Sequence, residues 1–172
     1  MSSEAISAGI MITGAAIAAA FLVAAILPAI FTAGGTFGTV AHSADNQIRT
    51  DFEIIRAFTP TVASGTAPVD IWIKNTGQIR FNSAEIESMD VFFGNYQGIK
   101  RLVYTSSPPN EGFFSFIIEG VPGAMYWNPG DTLHINTTRA QNLQSPYYFA
   151  LVAPNGVEKT HIFGGIGLPK TP

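Results

Sequence analysis

The N-terminal part of the chain carries one long apolar pattern. Residues 5–31 contain no Asp, Glu, Lys or Arg, and the charge-free stretch continues to Ala44. A helix needs about 20 apolar residues to cross the hydrocarbon core of a bilayer, and no backbone amide can stay unpaired there, so this pattern predicts one membrane helix. Pro28 is expected to kink the helix or to mark its last turn. The Gly34-Gly35 pair is either a flexible joint or part of a helix that continues to about Val40.

Farther along the chain, apolar and polar positions alternate with a period of two. The segment QIRTDFEII begins at Gln47 and alternates as a strand with one face in water does. Turn-forming Gly, Pro and Asn residues separate further strand-like segments, which lie at residues 69–74, 85–93, 99–105, 112–118, 132–136, 147–152 and 158–163. This spacing of short strands predicts an antiparallel β-sandwich or barrel, and we expect no further amphipathic helix after residue 60.

These patterns predict a mainly β protein with an N-terminal transmembrane α-helix. The expected division is a membrane helix with its linker at residues 1–46, a β-sandwich domain at 47–165, and a loose Gly- and Pro-rich tail at 166–172. The net charge is −3 and there is no cysteine. Because no basic stripe is present, nucleic acid is not expected as a partner, and thiol catalysis and disulfides are excluded.

The apolar helix is rich in small residues at spacings that let helices pack closely in lipid. Its predicted packing positions are Gly14, Ala16, Ala18, Ala20 and Ala24. A plain membrane anchor is the simpler interpretation of the same segment. A cleaved secretory signal fits less well, since no Lys or Arg precedes the apolar run and the run is about twice as long as a usual signal core.

The polar residues suggest no catalytic, cofactor-binding or metal-binding set. His42, His134 and His161 are scattered over more than a hundred positions, and no Cys or H-x-H pattern suggests a metal site. No nucleophile motif or phosphate-binding loop is present. A non-enzymatic protein without cofactors is therefore expected.

Two surface features remain as candidates. Asn136-Thr137-Thr138 is an N-x-S/T sequon, so Asn136 is a possible N-glycosylation site, with an unmodified asparagine as the alternative. Trp72, Tyr96 and Trp127 are expected on exposed faces, where they form a contact patch or cover the ends of the sandwich.

Taken in order, the apolar helix and the segments IRTDFEII, VDIWIKNTG and YWNPGDTLHI resemble the archaeal flagella-related protein G family over nearly the whole chain. The resemblance implies an immunoglobulin-like β-sandwich outside the cytoplasmic membrane, tethered by a pilin-like helix. It implies self-association into a homo-oligomer or filament, contact with the paralogous flagella-related protein F, and attachment to the S-layer. Such a protein would be a stator subunit of the archaellum, the archaeal flagellum.

In the wider pilin-like superfamily, a Glu near the helix start pairs with a neighbour's terminal amine during assembly, and Glu4 stands at about that position. The basic leader that is processed in archaellins and pilins is not found before the apolar run, which puts leader cleavage and this role of Glu4 in doubt. Two alternatives stay open. The chain could be a pilin-like subunit of an extracellular archaeal filament, or a membrane-tethered module that binds the S-layer or surface glycans.

Overall fold

A computed structural model of the chain describes residues 2–60, 65–120, 123–141 and 143–164. The chain divides into two compact units, Met1–Ala44 and Asp45–Pro172. Its regular elements are, in order, α1 (Ser2–Arg49), β1 (Phe52–Phe58), β2 (Ala67–Asn75), β3 (Phe81–Asn82), α2 (Ser83–Glu87), β4 (Asp90–Asn95), β5 (Gly98–Tyr104), β6 (Phe113–Ile118), β7 (Tyr126–Trp127), β8 (Thr132–Arg139), β9 (Tyr147–Val152) and β10 (Glu158–Phe163). The predicted tail at 166–172 lies outside the described residues.

Helix α1 continues without a break through Pro28 and through the Gly34-Gly35 pair. By length and composition it could cross a membrane. Its 48 residues extend about 70 Å at 1.5 Å per residue, more than twice the ~30 Å hydrocarbon core. The hydroxyls of Thr13 and Thr32 donate to helix carbonyls four residues earlier, at 2.8 and 2.9 Å, so these polar side chains are satisfied within the helix.

The prediction that strand structure begins at Gln47 is wrong. Residues 47–49 form the last turn of α1, and β1 begins only at Phe52. The period-two alternation continues into this helical turn although the turn is not a strand. Ile48, which the alternation places on the inward face, is 82% exposed there. The backbone N–H of Thr50 donates to the carbonyls of Asn46 and Gln47, at 3.1 and 3.2 Å, and the helix ends at this turn.

Eight strands form one sheet in the order β1-β2-β8-β6-β5-β4-β9-β10. Neighbouring strands are antiparallel except β5 and β6, which pair in parallel at Val103 with Phe113 and at Tyr104 with Phe114. We call β1-β2-β8-β6 the front half-sheet and β5-β4-β9-β10 the back half-sheet. Inward side chains of both halves join one buried hydrophobic cluster, so the halves pack on each other. The prediction of a mainly β chain with an N-terminal apolar helix is confirmed, and the immunoglobulin-like class of the sandwich stays a prediction.

Trp127 lies in this core and is not on an exposed face as predicted. It has 0% exposed surface, and its ring lies 6.0 Å from that of Phe52 and 5.7 Å from that of Phe81. Its indole N–H donates to the carbonyl of Asp131 at 3.0 Å, which satisfies its one polar atom. The strand that carries it, β7, has two residues, too few for alternation to indicate which side is buried.

The segment predicted as a strand at residues 85–93 begins as a helix instead. Ser83–Glu87 form α2, and β4 starts at Asp90. A capping box fixes the helix start, since the Asn82 side chain accepts from the Glu85 N–H at 2.9 Å and the Glu85 carboxylate accepts from the Asn82 N–H at 2.7 Å. The expectation of no helix after residue 60 is therefore wrong by this one short turn.

Candidate functional site at the end of the long helix

Residues 46–51 comprise the last turn of α1 and the link to β1, and two turns of the β domain hold them. One is the β2–β3 turn at residues 75–78, which follows a strand of the front half-sheet. The other is the β9–β10 turn at residues 153–157, which joins two strands of the back half-sheet. We call residues 46–51 and these two turns the helix clasp. All of it belongs to the unit Asp45–Pro172.

The β2–β3 turn binds the clasp through its backbone. The N–H groups of Thr76 and Gly77 donate to the carbonyl of Asp51, at 3.1 and 2.7 Å, and the N–H of Gln78 donates to the carbonyl of Arg49 at 2.8 Å. The hydroxyl of Thr76 donates to the Asp51 carboxylate at 3.0 Å. A carbonyl at the end of α1 therefore receives its hydrogen bond from the β domain, where an isolated helix would leave it to water.

Gly77 is required at this turn by the closeness of the two backbones. A Cβ at this position would meet the backbone N of Asp51, and it would lie 2.7 Å from the carbonyl oxygen of Arg49. Because these obstacles are backbone atoms, no rotation of a side chain could relieve the clash. The Asn-Thr-Gly sequence after β2 is therefore fitted to the helix end as well as to the turn.

The β9–β10 turn binds through Asn155. Its side-chain N–H₂ donates to the hydroxyl of Thr50 at 2.6 Å and to the carbonyl of Asn46 at 3.3 Å. Its backbone carbonyl accepts from the Gln47 side chain at 2.8 Å, and its side-chain oxygen accepts from the Val157 N–H at 3.3 Å within the turn. The Thr50 hydroxyl in turn donates to the carbonyl of Asn46 at 2.7 Å. One asparagine thus contacts three residues at the end of α1.

An ion pair adds a further link beside this turn. Lys159 Nζ on β10 lies 2.8 Å from Asp51 Oδ1. The Lys159 hydrogen bond is the main cause that lowers the pKa of Asp51, while burial opposes it and the Thr76 hydroxyl assists it. Because both side chains are about half exposed, the pair adds little stability by itself.

Asn75 connects the clasp to a third loop. Its side chain is 1% exposed in a buried position and donates to the carbonyls of Ile79 and Trp127, at 2.8 and 3.2 Å. Its backbone exchanges hydrogen bonds with Asp131 and Gly130, at 3.0 and 2.8 Å. The three segments that carry the family resemblance therefore meet at the end of the helix. The sequence predicts turns at Asn75-Thr76-Gly77, Asn128-Pro129-Gly130 and Pro154-Asn155-Gly156. It does not predict their contacts with the helix end, because no local pattern shows what a turn contacts across the fold.

A second polar cluster lies on the outward face of the front half-sheet. Trp72 and His134 pair across β2 and β8, with ring centroids 4.6 Å apart and planes 7° from parallel. The Arg56 guanidinium lies 5.2 Å from the Trp72 ring centroid. His134 Nε2 lies 2.9 Å from Asp70 Oδ1, and Nδ1 lies 3.5 Å from a Glu119 oxygen. We call these residues the outer-face cluster.

The outer-face cluster changes two predictions from the sequence. The fold brings the carboxylates of Asp70 and Glu119 to His134, although both lie far from it in sequence. Trp72 carries partners on its ring, Trp127 is buried, and Tyr96 lies in the β4–β5 turn with 76% exposure. The three aromatic residues therefore form no common patch, and that prediction is wrong.

The histidines form no metal site in the part of the chain that the structure describes. Among residues 2–60, 65–120, 123–141 and 143–164, no three His, Asp or Glu side chains are grouped to hold an ion. His161 is on β10 and lines a cavity of about 650 Å³ between the edge strands β1 and β10. Burial lowers the pKa of His161.

The predicted assembly and modification residues stay predictions. Glu4, Gly14, Ala16, Ala18, Ala20 and Ala24 are exposed along α1, and a Cβ at Gly14 would meet nothing within 4 Å. The Asn136 side chain lies on β8 and donates to Asp70 Oδ1 at 2.7 Å. A glycan on Asn136 would replace one of the two hydrogens of this nitrogen and leave one N–H to donate.

Comparison with known proteins identifies the family. The family model described as archaeal-type flagellin matches residues 2–163. The chain belongs to the archaeal-type flagellin family. An uncharacterized protein of Archaeoglobus fulgidus is 29% identical over 167 residues, which is 95% of this chain and 99% of that protein. The match extends over both the apolar helix and the β domain of this chain.

Solved structures supply the fold of this flagellin-family chain. The archaellum periplasmic stator protein FlaG from Sulfolobus acidocaldarius is 21% identical, with a TM-score of 0.50, over 66% of this chain and 99% of that one. A chain of the FlaF and FlaG stator complex from the same organism is 22% identical, with a TM-score of 0.49, over 65% of this chain and 87% of that one. The resemblance to the flagella-related protein G family is thus confirmed at the level of the fold, and the family model places the chain among the archaeal-type flagellins.

Proposed function

We propose that this chain is a non-enzymatic stator subunit of the archaellum motor. Its apolar helix crosses the cytoplasmic membrane once, and its β domain lies between the membrane and the S-layer. Support comes from its membership of the archaeal-type flagellin family, from the FlaG-like fold and from the apolar length of α1.

The observation that carries the proposal is the continuity of α1. The helix spans Ser2–Arg49, from the apolar segment to residues that the β domain itself binds. A stator must resist force between two fixed points. An apolar helix is held in lipid by the cost of extracting about 20 apolar residues, and the β domain offers surface for the second attachment.

The proposed partners follow from the family resemblance. They are further copies of this chain, a flagella-related protein F and the S-layer. The strands β1 and β10 stand at the two ends of the sheet order in the part of the chain that the structure describes, and edge strands can pair with strands of other protein chains. If copies associate head to tail, the contact can propagate into a filament that a partner protein ends.

The test uses the full chain purified in detergent and a host strain that lacks the gene. We expect the chain to form oligomers in light-scattering chromatography, to retain the F-type paralogue and isolated S-layer, and to restore swimming. A strain that swims normally without the gene would overturn the stator function. A chain that stays monomeric at high concentration, alone and with the paralogue, would overturn self-association.

A second candidate is a subunit of an archaeal filament. The family description, archaeal-type flagellin, and the exposure of the α1 side chains favour it, since a filament could bury that helix in its core. Mass spectrometry of sheared filaments separates the two candidates. A filament subunit would be abundant there, with its mature N-terminus just before the apolar run, whereas a stator would stay in the membrane fraction.

A further inference from the structure

We propose that the helix clasp is the joint that transmits force between α1 and the β domain. The Asn155 amide and the Thr50 hydroxyl are the positioning groups that keep it closed. This inference rests on the proposed stator function. It assigns to a surface turn a mechanical role that its sequence, Pro-Asn-Gly, would not suggest.

Both half-sheets hold the same turn at the end of α1. Arg49 and Asp51 are bound by the turn that follows β2 of the front half-sheet, while Asn46 and Thr50 are bound by Asn155, between β9 and β10 of the back half-sheet. Force that reaches this turn is therefore shared by both layers of the sandwich. A connection through the covalent chain alone would load only β1, an edge strand.

One bond of the clasp is partly protected from water. Thr50 is 5% exposed, and its hydroxyl accepts from Asn155 in a partly buried position, whereas the bonds of Asn155 with Asn46 and Gln47 lie at the surface. A shielded hydrogen bond is stronger than a bond at an open surface, and a buried partner left unpaired is costly. Opening the clasp would leave the Thr50 hydroxyl without its Asn155 partner, so this bond resists small displacements.

The side-chain oxygen and nitrogen of Asn155 have different partners. The side-chain oxygen accepts from Val157 and shapes the turn, whereas the nitrogen donates to Thr50 and Asn46 and holds the helix. The Thr50 hydroxyl donates to the carbonyl of Asn46 and accepts from Asn155. An aspartate at 155 would keep the turn and would place an acceptor against the Asn46 carbonyl, and the Thr50 hydroxyl could pair with it only by turning its proton away from Asn46.

The test compares Asn155→Asp and Thr50→Val with the rescue variant Thr50→Ser and the control Asn110→Asp. Asn110→Asp makes the same change of charge in an exposed loop. Hydrogen exchange is followed in the full chain in detergent. We expect amides of residues 45–51 to exchange about 3- to 30-fold faster in Asn155→Asp and Thr50→Val, as the loss of one or two hydrogen bonds predicts. Amide exchange in strand β8 should be unchanged in every variant, and exchange at residues 45–51 should be unchanged in Thr50→Ser and Asn110→Asp.

Swimming then tests the mechanical role. Asn155→Asp and Thr50→Val should reduce swimming while membrane level and capture of the F-type paralogue stay normal. Unchanged exchange at residues 45–51 would overturn the inference, and so would faster exchange with normal swimming. Both results would leave the stator function intact, whereas normal swimming of the deletion strain would overturn the stator function itself.

Discussion

Replacing Gly77 with alanine should destabilise the β domain, because the new methyl group meets the backbone of Arg49 and Asp51 at the end of the helix. The Cβ would lie 2.7 Å from the Arg49 carbonyl oxygen and 3.0 Å from that of Asp51, so the turn must retreat. Retreat breaks the bonds from the N–H groups of Thr76, Gly77 and Gln78. At about 1 kcal/mol for each net hydrogen bond, the loss is up to about 3 kcal/mol.

One effect opposes this loss. Alanine restricts the unfolded chain and stabilises a compatible site by about 0.4–1 kcal/mol, so the net loss in the free energy of unfolding is about 2 kcal/mol. For a unit of this size, Asp45–Pro172, that loss lowers the Tm by about 6–10 °C. Thermal unfolding of the full chain in detergent, followed by tryptophan fluorescence, measures the shift.

Gly98→Ala is the matched control. Gly98 begins β5, and a Cβ there would meet nothing within 4 Å. This variant should keep the parent Tm or raise it slightly. If Gly77→Ala unfolds within about 1 °C of the parent, the backbones of this turn and of the helix end are not in close contact, and the binding of the helix end by this turn is refuted.

Three further predictions concern single contacts. A fragment that begins at Asp45 should be more stable to urea than one that begins at Asp51, by about 1–3 kcal/mol, because only the longer one keeps the bonds to Asn155. The Lys159 contact lowers the pKa of Asp51, so its small stabilisation should be complete above about pH 4 and lost as the pH falls through the lowered pKa. Asp51→Asn should remove that pH dependence from the Tm. Trp72→Leu should cost about 1–2 kcal/mol in urea unfolding through its lost ring contacts, whereas Tyr96→Leu, at an exposed site, should change little.

Strands that lie between clear turn residues could be predicted from the sequence. Strands β9 and β10 begin and end at the predicted residues, 147–152 and 158–163. The turn residues Pro154, Asn155 and Gly156 separate the two strands, and β9 is a short continuous apolar run of the kind that a buried strand shows. The apolar character of α1 was equally plain, since it depends on composition over dozens of residues.

Short elements and contacts between distant residues could not be predicted from local sequence patterns. The two-residue strands β3 and β7 carry no periodicity, and the burial of Trp127 depends on Phe52 and Phe81, which lie far from it in sequence. The one-turn helix α2 had a visible pattern, Asn82 followed three residues later by Glu85, but the alternation around it favoured a strand. At the clasp, the residues of the two turns that bind the helix end lie at least 25 residues away from it in sequence.

The end of α1 illustrates why local rules failed. Helices commonly end at a glycine that bonds their last carbonyls, and Gly34-Gly35 offered such an end, yet α1 passes both. Its real end has no such glycine. The carbonyl of Arg49 is bound by Gln78, and that of Asn46 by Thr50 and Asn155. The β domain is therefore the cap of the helix, and the helix end fills the site between two of its turns. Each part stabilises the other, so a change that loosens the turns should also fray the helix end, as a joint that carries force in both directions requires.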